Sequence, residues 1–412
     1  MKKILKMILV LSLLGLITPN IYAQESDDET EIDIEIVSGA AILIETQTNA
    51  VLYEENALEA KYPASITKIL TVILAIEQLN MDDMTVVSQE AIDATEPGST
   101  HIALQVGEEI SIQDLCYATL LASANDAANT LALAVSGSIE SFANLMNQKV
   151  EELGGMNSHF VNPSGLPDED HYTCAYDMAL ITSYAVKNET FLEIFSTVSY
   201  EASTTNMQPE VRVFANGNDM IKPSEYTYEY AVGGKNGWTT DAQYTLVTYA
   251  EKDDLNLVAV VLDSYQKSDY YQESKEMFEY AFDNYQRLVI PHEEIVEEIV
   301  EIYDEETLLA TSTFYFEQDI GLLLPSSIVV EDVSHEIVVS NEDSVEEIKA
   351  DLMIYVANEY VGQVSMNHDQ KVYEVINDEI ETSIFKRYFD KLSVFVLICV
   401  SFVLLKKVIV KK

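Results

Sequence analysis

The stretch with the most chemical content is Pro63-Ala64-Ser65-Ile66-Thr67-Lys68, which opens a run of apolar residues reaching Ile76. A run that is apolar on every side predicts a helix buried all round. Positions three apart share a helical face, so Lys68 lies beside Ser65 in an interior setting. Burial disfavours an ammonium and lowers its pKa toward neutrality. An amine that can lose its proton beside a hydroxyl is a general base beside a nucleophile. Pro63 breaks the chain ahead of the helix, and Ser65 sits near its N-terminus, where backbone N–H groups favour developing negative charge. By itself Ser-x-x-Lys is a weak pattern, and it recurs at Ser264/Lys267 and Ser383/Lys386. Ser65 is set apart by its apolar helix and by two further motifs.

The first is Ser123-Ala124-Asn125, where one helical stretch stops before another begins at Asp126. Its plain reading is a capping turn. Its functional reading is a hydroxyl that relays a proton and an amide that binds a substrate carbonyl. The second is Lys235-Asn236-Gly237, in the stretch Gly233–Thr239. Glycines around a lysine at the start of a strand let a ligand approach the backbone closely; a hairpin turn with an exposed lysine is the alternative. Ser164, His171 and Asp177 invite a Ser-His-Asp reading, but no Gly-x-Ser-x-Gly elbow exists in the chain. The Cys/His positions lack zinc spacing, so no metal is expected. Cys399 falls in the C-terminal apolar run, and the sequence leaves the state of Cys116 and Cys174 open.

The elements that must position these residues follow from periodicity. Two strands, Ala40–Glu45 and Val51–Tyr53, joined by a turn at Thr46–Asn49, lead into the Ser65 helix. Ser111 caps a helix running to Leu121, and another follows from Asp126 through Leu133. Asn162–Pro167 is a turn-rich loop. Alternating strands are expected at Tyr244–Tyr249 and Leu257–Leu262, then a closing amphipathic helix from Ser274 to Tyr285. From about residue 291 glycine becomes scarce. Short β-type runs follow at Glu297–Ile302, Ser312–Phe316, Ile328–Val330, Glu336–Val339, Leu352–Val356 and Val361–Val364.

Taken in order, Ser65-x-x-Lys68, Ser123-x-Asn125 and Lys235-x-Gly237 resemble the penicillin-recognising serine enzymes. Tyr62–Lys68, Ser123–Asp126, and Phe160–Pro167 with His171, Ala175, Tyr176 and Asp177 are similar to the serine D-Ala-D-Ala carboxypeptidases, the low-molecular-weight penicillin-binding proteins. The resemblance covers about residues 37–290. It implies an α/β (α+β) fold, an antiparallel sheet sandwiched by helices, followed by a small β-rich domain and a C-terminal anchor. It also implies removal of the terminal D-alanine from peptidoglycan stem pentapeptides through an acyl-enzyme on Ser65. Lys68 would take the proton, Ser123 would relay one to the leaving D-alanine, and Asn125, Lys235, Asn236, Gly237 and Trp238 would bind substrate. The N–H groups of Ser65 and Trp238 would form the oxyanion hole. β-Lactams would be covalent inhibitors, and no cofactor is required.

Two departures touch the recognition of the substrate carboxylate: Asn236 stands where the family has threonine or serine, and Tyr270 where it often has arginine. They keep open a catalytically impaired wall-binding relative and a D,D-endopeptidase acting within cross-links. A β-lactamase is disfavoured, because a convincing Glu-x-x-x-Asn deacylation loop is lacking.

The 412 residues suffice for two or three domains. Lys2, Lys3 and Lys6, an apolar Met7–Ile17 and Ile21-Tyr22-Ala23 read as a signal peptide over 1–23; the apolar run is short for a retained span. An acidic linker, 24–36, precedes the peptidase domain at 37–290, the β-rich domain at 291–378 and an anchor at 386–412. In the last segment Leu392–Leu405 carries no charge and lysines 406, 407, 411 and 412 follow. That orients a span with its C-terminus cytoplasmic and the body on the extracytoplasmic face; the lack of a polar face disfavours a flat amphipathic anchor. The net charge is −47, and the two ends hold ten of the 23 basic residues but one of the 70 acids. The body therefore carries about −56, which excludes nucleic acid and anionic lipid as its partners. It acts as a solubilising surface.

Overall fold

The computed structural model describes residues 34–305, 307–341, 345–373 and 399–401. It divides into two compact units, Glu31–Asp283 and a second beginning at Asn284. In the first, β1 (Ala40–Glu45) and β2 (Ala50–Glu55) form an antiparallel hairpin. The buried Glu45 carboxylate closes its turn, accepting from the Gln47 N–H (3.0 Å), the Thr48 N–H (2.8 Å) and the Thr48 hydroxyl (2.6 Å). A 3₁₀ turn, Ala64–Thr67, then runs into α1 (Lys68–Gln78).

Next come β3 (Met84–Val86), α2 (Gln89–Asp93), β4 (Glu109–Ser111), α3 (Ile112–Leu120), α4 (Asn125–Ser136) and α5 (Ile139–Glu152). The Ser111 hydroxyl caps α3 by accepting from the Asp114 N–H at 3.0 Å, as its sequence predicts. Then follow α6 (Ala175–Ala185), α7 (Glu189–Ser196), the short pair β5 (Ser199–Glu201) and β6 (Val213–Ala215), and β7 (Ala231–Thr239), β8 (Gln243–Lys252) and β9 (Leu255–Ser264). The unit ends in α8 (Lys267–Asn284).

The main sheet has the order β2-β1-β9-β8-β7, with every neighbouring pair antiparallel. Ile42, Ile44, Val258, Val260 and Leu262 join the helical core, while the alternate residues Leu43, Leu257, Ala259 and Val261 are equally buried. Successive strand residues face opposite sides, so this sheet is covered on both faces, which is why β1 is apolar almost without interruption. Helix α1 lies within the helical layer, against α3, α4 and α6, with Lys68 through Ala75 all buried.

Three expectations need correction here. Lys235-Asn236-Gly237 does not sit at the start of a strand but in the middle of one, the edge strand β7. The closing helix starts seven residues earlier than its amphipathic pattern predicts, so Tyr270 lies in its first turn rather than ahead of it. Ile328–Val330 forms no strand, since a 3₁₀ turn begins at Val330.

The second unit is β-rich. It holds β10 (Tyr285–Ile290), β11 (Glu298–Asp304), β12 (Thr307–Tyr315), β13 (Ile320–Pro325), β14 (Val333–Ser340), β15 (Lys349–Val356), β16 (Glu359–Ser365) and β17 (Asn367–Val372). β10 pairs with β13, β11-β12-β17 form a second sheet and β14-β15-β16 a third, around one core that includes Phe314, Leu322, Leu324, Leu352 and Ile354. The expected signal peptide, and the anchor apart from Cys399–Ser401, lie outside the described residues. Among the described residues no helix is long and apolar enough to cross a membrane.

Candidate active site

Ser65 occupies the 3₁₀ turn ahead of α1. Ala64, Ile66, Thr67 and Lys68 around it are buried, whereas Ser65 is partly open. The Lys68 Nζ lies 3.0 Å from the Ser65 Oγ and donates to the Ser164 carbonyl at 2.5 Å. Complete burial, then the charge of Lys235, hold the Lys68 pKa well below the ordinary lysine range; Asp126 acts in the opposite direction. The pair predicted from spacing is therefore in hydrogen-bond contact, with the amine biased toward its neutral, proton-accepting form.

The loop 162–166 clamps this turn. The Asn162 Oδ1 accepts from the Ser164 N–H (3.1 Å), the Ser164 hydroxyl (3.0 Å) and the Gly165 N–H (2.8 Å), and the Thr71 hydroxyl donates to the Pro163 carbonyl at 2.6 Å. Gly165 has φ +82°, and a Cβ there would lie 1.8 Å from the Ala64 carbonyl oxygen, so glycine is required twice over. The Ser164 carbonyl as a partner of Lys68 went unread in the sequence. The turn-rich Asn-Pro-Ser-Gly signals a tight loop without saying against what it packs.

Ser123 lies between α3 and α4 in the left-handed region, at φ +56°. No side chain caps α4, whose N-cap is Ala124, so the plain capping role for this motif does not apply. Asn125 is buried, and its N–H donates to the Thr100 carbonyl at 2.9 Å. The neighbouring Asp126 carboxylate accepts from the N–H groups of Ile102 (3.2 Å) and Leu104 (2.9 Å), tying down the loop in front of α4. Helix α4 itself packs on α1.

Edge strand β7 carries the third motif. Lys235 is buried, its pKa lowered to about 7 by that burial, and its Nζ donates to the Asn236 carbonyl at 2.7 Å. At Gly237 a Cβ would lie 2.6 Å from the Thr245 Oγ1, 2.7 Å from the Ser65 backbone nitrogen and 2.9 Å from the Ala64 Cβ. The glycine is what lets β7 reach the Ser65 N–H. Asn236 is half-buried and Trp238 is 56% exposed.

The other sequence patterns come apart in three dimensions. Lys267 pairs with Asp219 at 2.6 Å, and the Ser264 hydroxyl donates to the Gln266 carbonyl. Ser383/Lys386 lies outside the described residues. The His171 Nδ1 accepts from the Val161 N–H at 3.2 Å, so its Nε2 carries the proton and donates to the Thr67 hydroxyl at 3.1 Å. Asp177 instead accepts from the Met156 and Asn157 N–H groups and the Ser158 hydroxyl. There is no Ser-His-Asp relay; His171 braces the turn bearing Ser65. Cys116 and Cys174 are free, buried thiols. Among the described residues no cluster of His, Cys, Asp or Glu could hold a metal.

Comparison with known proteins identifies the family. Residues 24–266 match the D-alanyl-D-alanine carboxypeptidase family. The D-alanyl-D-alanine carboxypeptidase DacF of Bacillus subtilis is 33% identical over 69% of this chain and 72% of its own. An Escherichia coli D-alanyl-D-alanine endopeptidase is 26% identical over 63% and 82%. The DD-transpeptidase of Streptomyces K15 is 26% identical in sequence and superposes with a TM-score of 0.56 over 60% of this chain and 98% of its own. Penicillin binding protein 5 of Haemophilus influenzae, at 23% identity, has the same fold with a TM-score of 0.68 over 81% and 97%. With a family model matched over more than half its length and a relative 33% identical over 72% of its own chain, the chain belongs to the D-alanyl-D-alanine carboxypeptidase family.

Proposed function

We propose that the protein is a serine D-alanyl-D-alanine carboxypeptidase that removes the terminal D-alanine from peptidoglycan stem peptides. The carrying observation is the 3.0 Å contact between Ser65 Oγ and a buried Lys68 amine whose pKa is lowered. Neutral Lys68 takes the Ser65 proton as the Oγ attacks the carbonyl carbon of the D-Ala–D-Ala bond. Negative charge on the tetrahedral oxygen is met by the N–H groups of Ser65 and Trp238. The C–N bond then breaks, and the leaving amine takes a proton relayed through Ser123. Asn125 holds the acyl portion of the peptide, while Lys235 and Asn236 receive the terminal carboxylate. Water, deprotonated by Lys68, hydrolyses the ester and returns Ser65. β-Lactams acylate the same hydroxyl.

The second reading is a D,D-endopeptidase. It is favoured by Asn236 and Tyr270 at carboxylate-recognition positions and by the relative of that name. Incubating the purified protein with an N-acylated peptide ending in D-Ala-D-Ala, and with a cross-linked dimer of such peptides, separates the two. Free D-alanine from the first supports the carboxypeptidase. Cleavage of the dimer alone supports the endopeptidase, and cleavage of neither refutes both. We further read residues 1–23 as an export signal, 37–290 as the peptidase domain, 291–378 as its β-rich companion and 386–412 as a membrane anchor on the extracytoplasmic face. If ending the chain before Lys386 leaves it fractionating with membranes after a salt wash, the anchor lies elsewhere.

A further inference from the structure

We infer that Gly217 is a specificity-determining position, acting through Asn236: its missing side chain leaves the space in which the Asn236 carboxamide lies, and the two together shape where the cleft receives a substrate carboxylate. The inference rests on the carboxypeptidase reading above. A Cβ at position 217 would lie 2.2 Å from the Asn236 Oδ1, 3.1 Å from its Cγ and 3.4 Å from its Nδ2. Gly217 does not have a left-handed φ, so glycine is not needed there for backbone conformation. What it supplies is room.

The wall behind that room is fixed. The Asn216 Nδ2 donates to the carbonyls of Phe195 (3.3 Å) and Thr197 (3.2 Å). Its Oδ1 accepts from the Asn218 N–H at 2.9 Å. The Asn218 Nδ2 donates to the Thr248 hydroxyl at 3.0 Å, and its Oδ1 accepts from the Met220 N–H at 2.9 Å. Both asparagines are buried. A Cβ on Gly234 would come within 1.9 Å of the Asn218 Nδ2, so the segment is also locked against β7. On the opposite side, Lys235 and Gly237 are each committed to the catalytic turn or the strand. A methyl on residue 217 cannot be absorbed by moving the wall, so the Asn236 carboxamide must turn out of its place. The amide nitrogen, the atom farther from Gly217, then leaves the place from which it would donate to the substrate carboxylate. A threonine at 236 has no δ atom; the nearest position a γ atom shares with asparagine is the one 3.1 Å away, a contact that small adjustments relieve.

A four-protein cycle tests this: wild type, Gly217→Ala, Asn236→Thr and the double variant. For each, kcat/KM is measured on an N-acyl-D-Ala-D-Ala peptide and on the same peptide closed by a C-terminal carboxamide. The acylation rate by a fluorescent penicillin is measured alongside. In the native background Gly217→Ala should lower kcat/KM for the free carboxylate about tenfold, the effect of one hydrogen bond to a charged group, and lower the carboxylate-to-carboxamide ratio with it. In the Asn236→Thr background the same substitution should change both by less than twofold. Equal losses in the two backgrounds, or equal losses on the two peptides, overturn the inference. Should Gly217→Ala not fold, Asn236→Ala withdraws the carboxamide without adding an atom, and an unchanged ratio in that variant overturns it too. A wild type that is acylated by penicillin but releases no D-alanine refutes the carboxypeptidase reading instead, and leaves the cycle readable in acylation rates.

Discussion

Adding one methyl at Gly237 tests whether the approach of β7 to Ser65 is what makes the site work. In Gly237→Ala the new carbon would sit 2.7 Å from the Ser65 nitrogen and 2.6 Å from the Thr245 Oγ1, where an ordinary contact is roughly 3.5 Å. The strand and the 3₁₀ turn must therefore separate by roughly 0.8 Å. The Thr245 hydroxyl can rotate, at the cost of its 2.9 Å bond to the Pro63 carbonyl, but the Ser65 nitrogen is backbone and cannot. Overpacking of this kind costs about 1–3 kcal/mol of stability, which a unit of this size tolerates. The kinetic cost should be larger, because a misplacement of about 1 Å between reacting groups can cost roughly a hundredfold. The assay is the second-order rate of acylation by a fluorescent penicillin, read against thermal melting of the same sample. The expected result is a rate lowered about a hundredfold with a cooperative transition retained. A folded variant acylated within twofold of wild type would refute the reasoning, since the glycine would then not be setting the distance.

Four further outcomes follow from the site. Ser65→Ala should lose all covalent labelling by penicillin while melting within about 1 kcal/mol of wild type, as one partly open hydroxyl is removed; labelling that persists would place the nucleophile elsewhere. Lys68→Ala should block acylation without unfolding the chain, and wild-type rates in that variant would mean another group accepts the proton. Burial lowers the Lys235 pKa to about 7, so if its ammonium receives the substrate carboxylate, kcat/KM should fall as pH rises through that value. The falling limb should move upward in Lys235→Arg, and a limb that stays in place would assign it to another group. His171 is held down to about 4 by burial. Between there and its ordinary 6.5 the unfolded chain binds the extra proton, so its contribution is present above 6.5 and lost as pH falls toward 4, by up to about 3 kcal/mol. Melting curves of wild type and His171→Gln should differ in that window, and parallel pH dependences would refute the assignment.

The apolar run behind Ser65, the strand-forming runs of β8 and β9 and the cap at Ser111 were legible because each is a local pattern with a local cause, although both faces of those strands are buried where alternation predicts one. β7 was not, since Gly-Gly-Lys-Asn-Gly-Trp has little strand propensity; its strand conformation is imposed by pairing with β8. The start of α8 was hidden in the same way, because Lys267–Glu273 shows little of the amphipathic pattern and is nonetheless helical, with Tyr270 and Tyr271 fully buried.

For the site, residue types and spacing alone determined that Ser65 and Lys68 share one helical turn and that a lysine placed there is desolvated. They also determined the order of the three motifs that carry the family resemblance. Tertiary structure decided what each motif faces. It set the Ser164 carbonyl on Lys68, Gly165 under Ala64, Gly237 on the Ser65 nitrogen and Gly217 under the Asn236 amide. Helical spacing is fixed by a three-residue interval, which the sequence states directly. Three of these other contacts join segments roughly 100 residues or more apart and the fourth joins a loop to the strand it packs on, and only the closing of the sheet and helices around one core brings them together.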